Sequence, residues 1–252
     1  MTNYSSFDYL CNEPFFIEGI GNVKCPTLRD IRKIKYRVFT LYINILTMSL
    51  ETYLKTSNTL SEYQKLSSVQ QADFTLYNVL VISSSQLLQE LISFFINGTA
   101  VFDVDTLSFS IYEDHDDEKM LVGNIDNNNF EIFQTEIQRI LGLKNPEQKQ
   151  PAFKNDYARQ LYEMFQSNEQ NIKKNSDENY EIDNMILKFC THNKTGINIL
   201  NVWDMTYYQF SVMFREYNIA RQYDYYDCMA ANTFSFKKSS DYKPMDYMKK
   251  FL

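Results

Sequence analysis

Hydrophobic and polar positions repeat with helical spacing along most of the chain, and glycine and proline fall between these repeats. Six glycines and five prolines are present in 252 residues, which leaves room for long uninterrupted helices. Residues 100–125 depart from this pattern and contain short β-prone runs, VFDV, LSFSIY and MLVGNI, which are typical of strands. The pattern predicts a mainly α protein with a small antiparallel β element, an α+β fold with helical bundle-like halves.

Two long helices are predicted in the first half of the chain. Thr27 and Asp30 have the spacing of a capping box, and an apolar stripe continues from there over residues 28–54. A second apolar repeat covers residues 69–96 and meets Asn97 and Gly98, which predict a left-handed helix end. Ahead of both helices, the segment PFFIEGIGNVKCP is predicted to form a short hairpin or an extended arm.

A polar stretch, KNPEQKQP at residues 144–151, has the composition of a linker. It predicts an N-terminal helical region, residues 1–143, that includes a β-hairpin or a small three-stranded sheet near 100–125, and a C-terminal helical region, residues 152–252. Just before the linker, Asn127 or Asn128 is predicted to cap a helix that stops at Gly142. In the C-terminal region we expect an antiparallel pair of amphipathic helices at 156–172 and 177–192.

An unusually aromatic helix is predicted near the end of the C-terminal region. Thr206 and Gln209 have capping-box spacing, and Met205 and Phe210 occupy the positions of a hydrophobic staple, so the helix should begin near Thr206. More aromatic residues follow than one core stripe needs, and surplus aromatic area often contacts a partner. Filling the core of the domain is an equally good interpretation. The candidate partner-binding residues are Trp203, Tyr207, Tyr208, Phe210, Phe214 and Tyr217.

Composition and charge narrow the range of partners. The apolar-looking runs are interrupted by polar residues and the N-terminus lacks the pattern of a signal peptide, so we expect a cytoplasmic protein with no membrane partner. A net charge of −7 argues against a dedicated nucleic-acid binder. Two basic runs, at 29–37 and 237–250, are interpreted as solvated faces. The sequence leaves homo-oligomerisation open.

The sequence offers little support for catalysis or for metal binding. Its four cysteines are widely separated, which predicts free thiols, with one disulfide pair left as an alternative. His192 is interpreted as a histidine that caps a helix C-terminus, and Asp204 as a residue that caps or hydrogen-bonds the turn before the aromatic helix. The acidic segment EDHDDE at 113–118 is interpreted as a hairpin tip, because cation sites need ligands held in place. We therefore expect a non-enzymatic protein with no cofactor and no metal.

Three segments together resemble the tail-assembly chaperones of tailed bacteriophages and prophages of Gram-positive hosts. The first is FFIEGIGNVKCPTLRDI, an ordered arm followed by a Pro-Thr-Leu helix start. The second is NIDNNNFEIFQTEIQRILGL, in which a strand leads through an Asn-rich cap into a helix. The third is VWDMTYYQFSVMFREYNIARQYDY, with a Trp, a short cap and an aromatic helix. Their order and spacing extend the resemblance over most of the chain.

The resemblance implies a non-enzymatic chaperone that acts in the host cytoplasm during tail morphogenesis. Such a protein binds the tape-measure protein and helps tail-tube proteins assemble around it, so its expected partners are proteins. The length of the chain and its N-terminal helices depart from the shortest family members. The alternatives are a structural virion protein of the neck or tail, which would be found in the virion, and an unrecognised enzyme or host-directed phage factor.

Overall fold

The computed structural model describes residues 4–67, 70–71, 74–115, 118–143 and 181–231. Helices dominate these residues and two small antiparallel sheets accompany them, which confirms the predicted fold class. The helices are α1 (Leu28–Ile34), α2 (Tyr36–Thr47), α3 (Leu50–Thr56), α4 (Leu60–Tyr63), α5 (Leu76–Phe95), α6 (Phe130–Ile140), α7 (Ile182–His192) and α8 (Tyr207–Ala231). The strands are β1 (Phe15–Ile17), β2 (Gly21–Val23), β3 (Thr99–Asp103), β4 (Ser108–His115) and β5 (Glu118–Ile125), and short 3-10 helices lie at Asp8–Leu10 and Val202–Asp204.

The chain divides into two compact units. The first contains residues 1–146 and 204–209, and the second contains residues 147–203 and 210–252. The predicted linker at 144–151 and the predicted helix at 156–172 lie outside the described residues. The domain boundaries expected from the sequence therefore stay a prediction.

The N-terminal segment of the first unit forms a hairpin. Strands β1 and β2 pair antiparallel, with Phe15 opposite Val23 and Ile17 opposite Gly21. Phe15, Ile17 and Val23 are buried while Phe16 is exposed, as expected when one face of a short sheet packs on a core. Of the two forms predicted for this segment, the structure has the hairpin.

The single helix predicted over residues 28–54 is wrong in its continuity, because α1, α2 and α3 replace it. The start is as predicted: the Thr27 side chain and the Asp30 side chain form a capping box. Lys35 then separates α1 from α2 with a φ of 73°, a conformation outside the helical region. Met48 adopts an extended conformation, and the Ser49 side chain accepts a hydrogen bond from the Thr52 backbone N–H to start α3.

The second long helix, predicted over 69–96, is also shorter than expected. Helix α5 begins after Thr75, whose side chain accepts a hydrogen bond from the Asn78 N–H. It ends at Ile96 in an extended conformation that forms a bridge with Val23. The predicted left-handed stop at Asn97 and Gly98 is therefore wrong, since the chain passes directly into β3.

The small β element predicted near residues 100–125 is confirmed, and of its two predicted forms the structure has the three-stranded sheet, with the antiparallel order β3-β4-β5. Gly98 lies against β4, and a side chain at this position would clash with the Tyr112 carbonyl oxygen. Close backbone approach explains this glycine better than a helix stop does. On the other edge of β3, the Ala100 N–H donates to Ser93 Oγ and the Phe102 N–H donates to Gln89 Oε1, both on α5.

Helix α6 ends as predicted but starts differently. Neither Asn127 nor Asn128 caps it; Asp126 accepts the N–H groups of Asn128 and Asn129, and Asn129 accepts the N–H of Asp126. At its C-terminus Gly142 has a φ of 71°, and the N–H groups of Gly142 and Leu143 donate to the carbonyls of Arg139 and Gln138. This is a Schellman motif, which only a residue tolerant of positive φ completes easily.

Candidate partner-binding groove

The start of α8 is built as the sequence predicts. The Thr206 N–H donates to Gln209 Oε1 at 2.9 Å, and the Gln209 N–H donates to Thr206 Oγ1 at 3.1 Å. This first turn belongs to the first unit, where Gln209 Nε2 donates to the Leu10 carbonyl at 2.8 Å. Just before the helix, Asp204 accepts two hydrogen bonds from the Arg29 guanidinium, so its carboxylate pairs with a cation and does not cap the turn.

Two of the candidate residues, Tyr207 and Tyr208, pack inside the first unit. The Tyr207 ring lies edge-on to Phe39 with centroids 5.1 Å apart, and the Tyr208 ring lies edge-on to Tyr9 at 5.7 Å. Tyr208 is only 9% exposed. Tyr208 therefore belongs to a core, and Tyr207 is half-buried beside it.

Three further candidates gather in the second unit around Phe189 of α7. Phe189 meets Phe210 and Tyr217 edge-on, with ring centroids 5.9 Å and 5.8 Å away. Phe214 stacks on Phe210 at 5.9 Å, one helical turn further along α8. Phe210 is 1% exposed, whereas Phe214 and Tyr217 are half-buried. The cluster fixes α7 against α8, because edge-on and offset-stacked rings each add stability beyond their buried area.

Trp203, the remaining candidate, lies in the loop between α7 and α8. Its indole Nε1 donates to the Ile199 carbonyl at 2.9 Å, and its side chain is half-buried. The structure thus divides the six candidates between a core in the first unit, an aromatic cluster in the second and a loop. Their assignment as partner-binding residues stays a prediction.

A groove next to this cluster has a cavity volume of about 690 Å³ and lies entirely within the second unit. Its walls come from the end of α7, the loop residues 193–195 and one face of α8 between residues 212 and 228. The apolar and aromatic residues that line it are Phe189, Val212, Met213, Tyr217, Ala220, Tyr225 and Cys228. Of the six predicted residues, only Tyr217 lines this groove.

The rim of the groove carries balanced charges. Lys194 and Arg221 provide two cations, and Glu216 and Asp224 provide two carboxylates. Arg221 Nη1 donates to the Tyr217 hydroxyl at 3.1 Å, and this bond raises the pKa of the guanidinium further. Lys194 Nζ lies 3.4 Å from Asp224 Oδ2, but both side chains are well exposed, so this ion pair adds little to the stability of the fold.

His192 and Cys190 lie at the end of α7, next to the groove. His192 Nδ1 lies 3.1 Å from the Lys188 carbonyl in the last turn of α7, which confirms its interpretation as a residue at a helix C-terminus. Desolvation raises the pKa of Cys190, whereas a nucleophilic thiol needs a lowered pKa.

Metal ligands are not gathered in the part of the chain that the structure describes. No group of three or more His, Cys, Asp or Glu side chains in these ranges could hold a metal ion. The acidic segment at 113–118 is described only in part, since Asp116 and Asp117 lie outside the described residues. Within the same ranges no helix is long and apolar enough to cross a membrane.

Residues 171–251 match the family model described as the YomV second domain. This is a phage-type protein family of Bacillus, so the match associates the chain with phage proteins. The matched range includes α7, the loop and all of the groove's α8 wall, but less than half of the chain. Searches of curated proteins and of solved structures found no match.

Proposed function

We propose that this chain is a non-enzymatic phage tail-assembly chaperone that binds an apolar helix of the tape-measure protein in the groove between α7 and α8. The observation that carries the proposal is the groove itself, an open apolar surface on an otherwise acidic chain. Open apolar surfaces of this kind usually serve binding.

The length of the groove supports a helical ligand over a compact small molecule. Its α8 wall runs from Val212 to Cys228, and at 1.5 Å per residue this wall is about 24 Å long. Lining residues recur along it at intervals of three and four, as at 213, 217, 220, 224 and 228. A partner helix that lies along such a stripe would bury its own apolar face, which is the usual mode of helix recognition in grooves.

The choice of partner rests on the resemblance to tail-assembly chaperones and on the phage-type family match. A tape-measure helix hides its apolar stripe only once it lies inside the tail tube, and beforehand it needs a reversible apolar partner. The proposed site of action is the host cytoplasm. Persistent association with mature virions would instead favour a structural role in the neck or tail.

The groove can be tested by filling it. Ala220 lies in the groove wall and Gln222 lies on the exposed opposite face of α8, so Ala220→Trp and Gln222→Trp add the same ring to the same helix in two places. We expect Ala220→Trp to weaken capture of the tape-measure protein about tenfold or more, the size of a binding hot spot. Gln222→Trp should bind like the wild type, and both variants should keep the wild-type circular dichroism spectrum.

Two results would reject this function. One is equal capture of the tape-measure protein by Ala220→Trp and by the wild type. The other is failure of the folded wild-type chain to bind the tape-measure protein in a purified mixture. Both are measured directly by pull-down and by isothermal titration of the purified proteins.

A further inference from the structure

The loop between α7 and α8 exposes two apolar side chains on a backbone that hydrogen bonds hold in place. Leu200 is 82% exposed and Ile199 is 45% exposed. The Leu200 N–H donates to Asn198 Oδ1 at 2.9 Å, and the Asn198 N–H donates to Asn201 Oδ1 at 2.8 Å. We call Ile199 and Leu200 the apolar knob.

The same loop is tied back to the end of α7. Asn193 Nδ2 donates to the carbonyls of Phe189 and Ile197 at 2.7 and 2.6 Å, and Asn193 Oδ1 accepts the Thr195 N–H at 3.0 Å. The Trp203 indole also holds the loop, because its Nε1–H donates a hydrogen bond to the Ile199 carbonyl. Because the loop is already ordered, burying the knob against another surface would cost little conformational entropy.

Charge makes this loop and the neighbouring groove suited to contact between two copies of the chain. Each copy carries a net charge of −7, and like charges oppose association. Residues 195–203 contain no charged side chain, and the two cations of the groove rim balance its two carboxylates. The knob and the groove together therefore form an electrically neutral surface on an acidic protein.

We propose that the apolar knob of one copy inserts into the groove of a second copy, and that the contact is reciprocal. Residues 193–195 of the loop line one part of the groove, and residues 199 and 200 of the same loop form the knob, so the knob follows one wall of the groove directly in the chain. A reciprocal contact of this kind closes as a two-fold dimer and does not extend into a filament.

This inference rests on the groove of the proposed function and adds a form of regulation. The second copy and the apolar partner helix compete for one surface, so the groove is covered until a partner helix displaces the knob. Binding of the partner then converts the dimer into a complex of one chain with the partner.

The dimer is tested by sedimentation equilibrium over a concentration series that extends to the solubility limit. The wild type should dimerise, and Leu200→Asp and Ala220→Trp should each raise the dimer dissociation constant about tenfold or more. Leu187→Asp is the control, since Leu187 on α7 is 52% exposed and lies outside the knob and the groove lining. It should dimerise like the wild type.

Mixing the two variants tests whether the knob meets the groove. Leu200→Asp retains an intact groove and Ala220→Trp retains an intact knob, so tagged Leu200→Asp should capture untagged Ala220→Trp. It should not capture untagged Leu200→Asp above background. Three results would overturn the inference. The first is equal capture of the two untagged variants, and the second is a variant that dimerises as tightly as the wild type. The third is a wild type that stays monomeric at every concentration.

The outcomes separate this inference from the proposed function. A monomeric wild type that binds the tape-measure protein would reject only the dimer. A wild type that dimerises through the knob but never binds the tape-measure protein would reject the function and retain the dimer.

Discussion

Cys25 illustrates how burial sets the chemistry of a single side chain in this protein. The thiol is 6% exposed and its Sγ donates to the Ile140 carbonyl at 3.3 Å. Desolvation raises the pKa of Cys25 from its ordinary value of 9.0 to about 11. A thiol in this state remains protonated at neutral pH and reacts slowly, which suits a packing role and not a nucleophilic one.

The raised pKa of Cys25 predicts a loss of stability in alkaline solution. Above pH 9 the unfolded chain releases the thiol proton while the folded chain keeps it, so the free energy of unfolding falls as pH rises. Relative to a Cys25→Ala variant, the wild type should lose roughly 1 kcal/mol between pH 8 and pH 10.

Urea denaturation of both proteins under reducing conditions measures this difference. Burial also raises the pKa of Tyr9 to about 12, but Tyr9 is present in both proteins and its effect cancels in the comparison. A stability difference that stays constant from pH 8 to pH 10 would contradict the assignment of the buried, protonated thiol.

At the scale of elements, the sequence predicts helix ends well where the signal is local, such as a side chain that caps its own helix or a glycine with positive φ that ends it. The capping boxes at Thr27 and Thr206 and the stop at Gly142 are all present. The breaks at Lys35 and Met48 were missed, because the apolar stripe continues across them and a lysine with positive φ has no sequence signature. Gly98 was misread because a close approach by β4 depends on tertiary structure.

The groove was less predictable than the elements that form it. The sequence identified α8 and its aromatic content, but near the helix start Tyr208 and Phe210 are buried, and the half-buried Tyr207 packs on Phe39. Val212 and Ala220 line the groove without being conspicuous in the sequence. The three-residue spacing from Tyr217 to Ala220 is a usable signal for a shared helix face, yet only the packing of α7 shows which face of α8 it leaves open.

The Thr206 cap predicts a measurable contribution to helix stability. Thr206 is fully buried, and its hydroxyl oxygen accepts the Gln209 N–H at the start of α8. Thr206→Ala should lower the free energy of unfolding by about 1 to 2 kcal/mol, the upper half of the range for losing a cap. Thr206→Ser keeps the hydroxyl and should recover most of that loss.

Chemical denaturation of the two Thr206 variants beside the wild type checks the cap. If Thr206→Ser were as unstable as Thr206→Ala, the lost methyl group and not the cap would explain the effect, and the capping box would contribute little to α8.

At the scale of the whole molecule, the family match and the groove fall in the same part of the chain. Residues 171–251 contain α7, the knob and all of α8, whereas the hairpin, the three-stranded sheet and α1 to α6 lie in the first unit. The part of the chain associated with phage proteins therefore carries the surface to which we assign binding.

This division predicts where a bound partner should alter hydrogen exchange. A synthetic amphipathic helix from the tape-measure protein should slow amide exchange in residues 189–195 and in α8 between residues 212 and 228. These segments line the groove, and a bound partner stabilises the closed state of the amides that it covers. Exchange in β3, β4 and β5 of the first unit should stay unchanged. Mass spectrometry of peptic fragments resolves these segments.

The Ala220→Trp variant serves as the control, since the added indole fills the groove and should abolish the protection while exchange elsewhere stays at the wild-type rate. Protection confined to the sheet or to α1 and α2 would place the partner on the first unit and exclude the groove. Protection at 189–195 and 212–228 could also persist in Ala220→Trp. In that case the partner helix would contact the second unit outside the groove, through residues that the added ring does not reach.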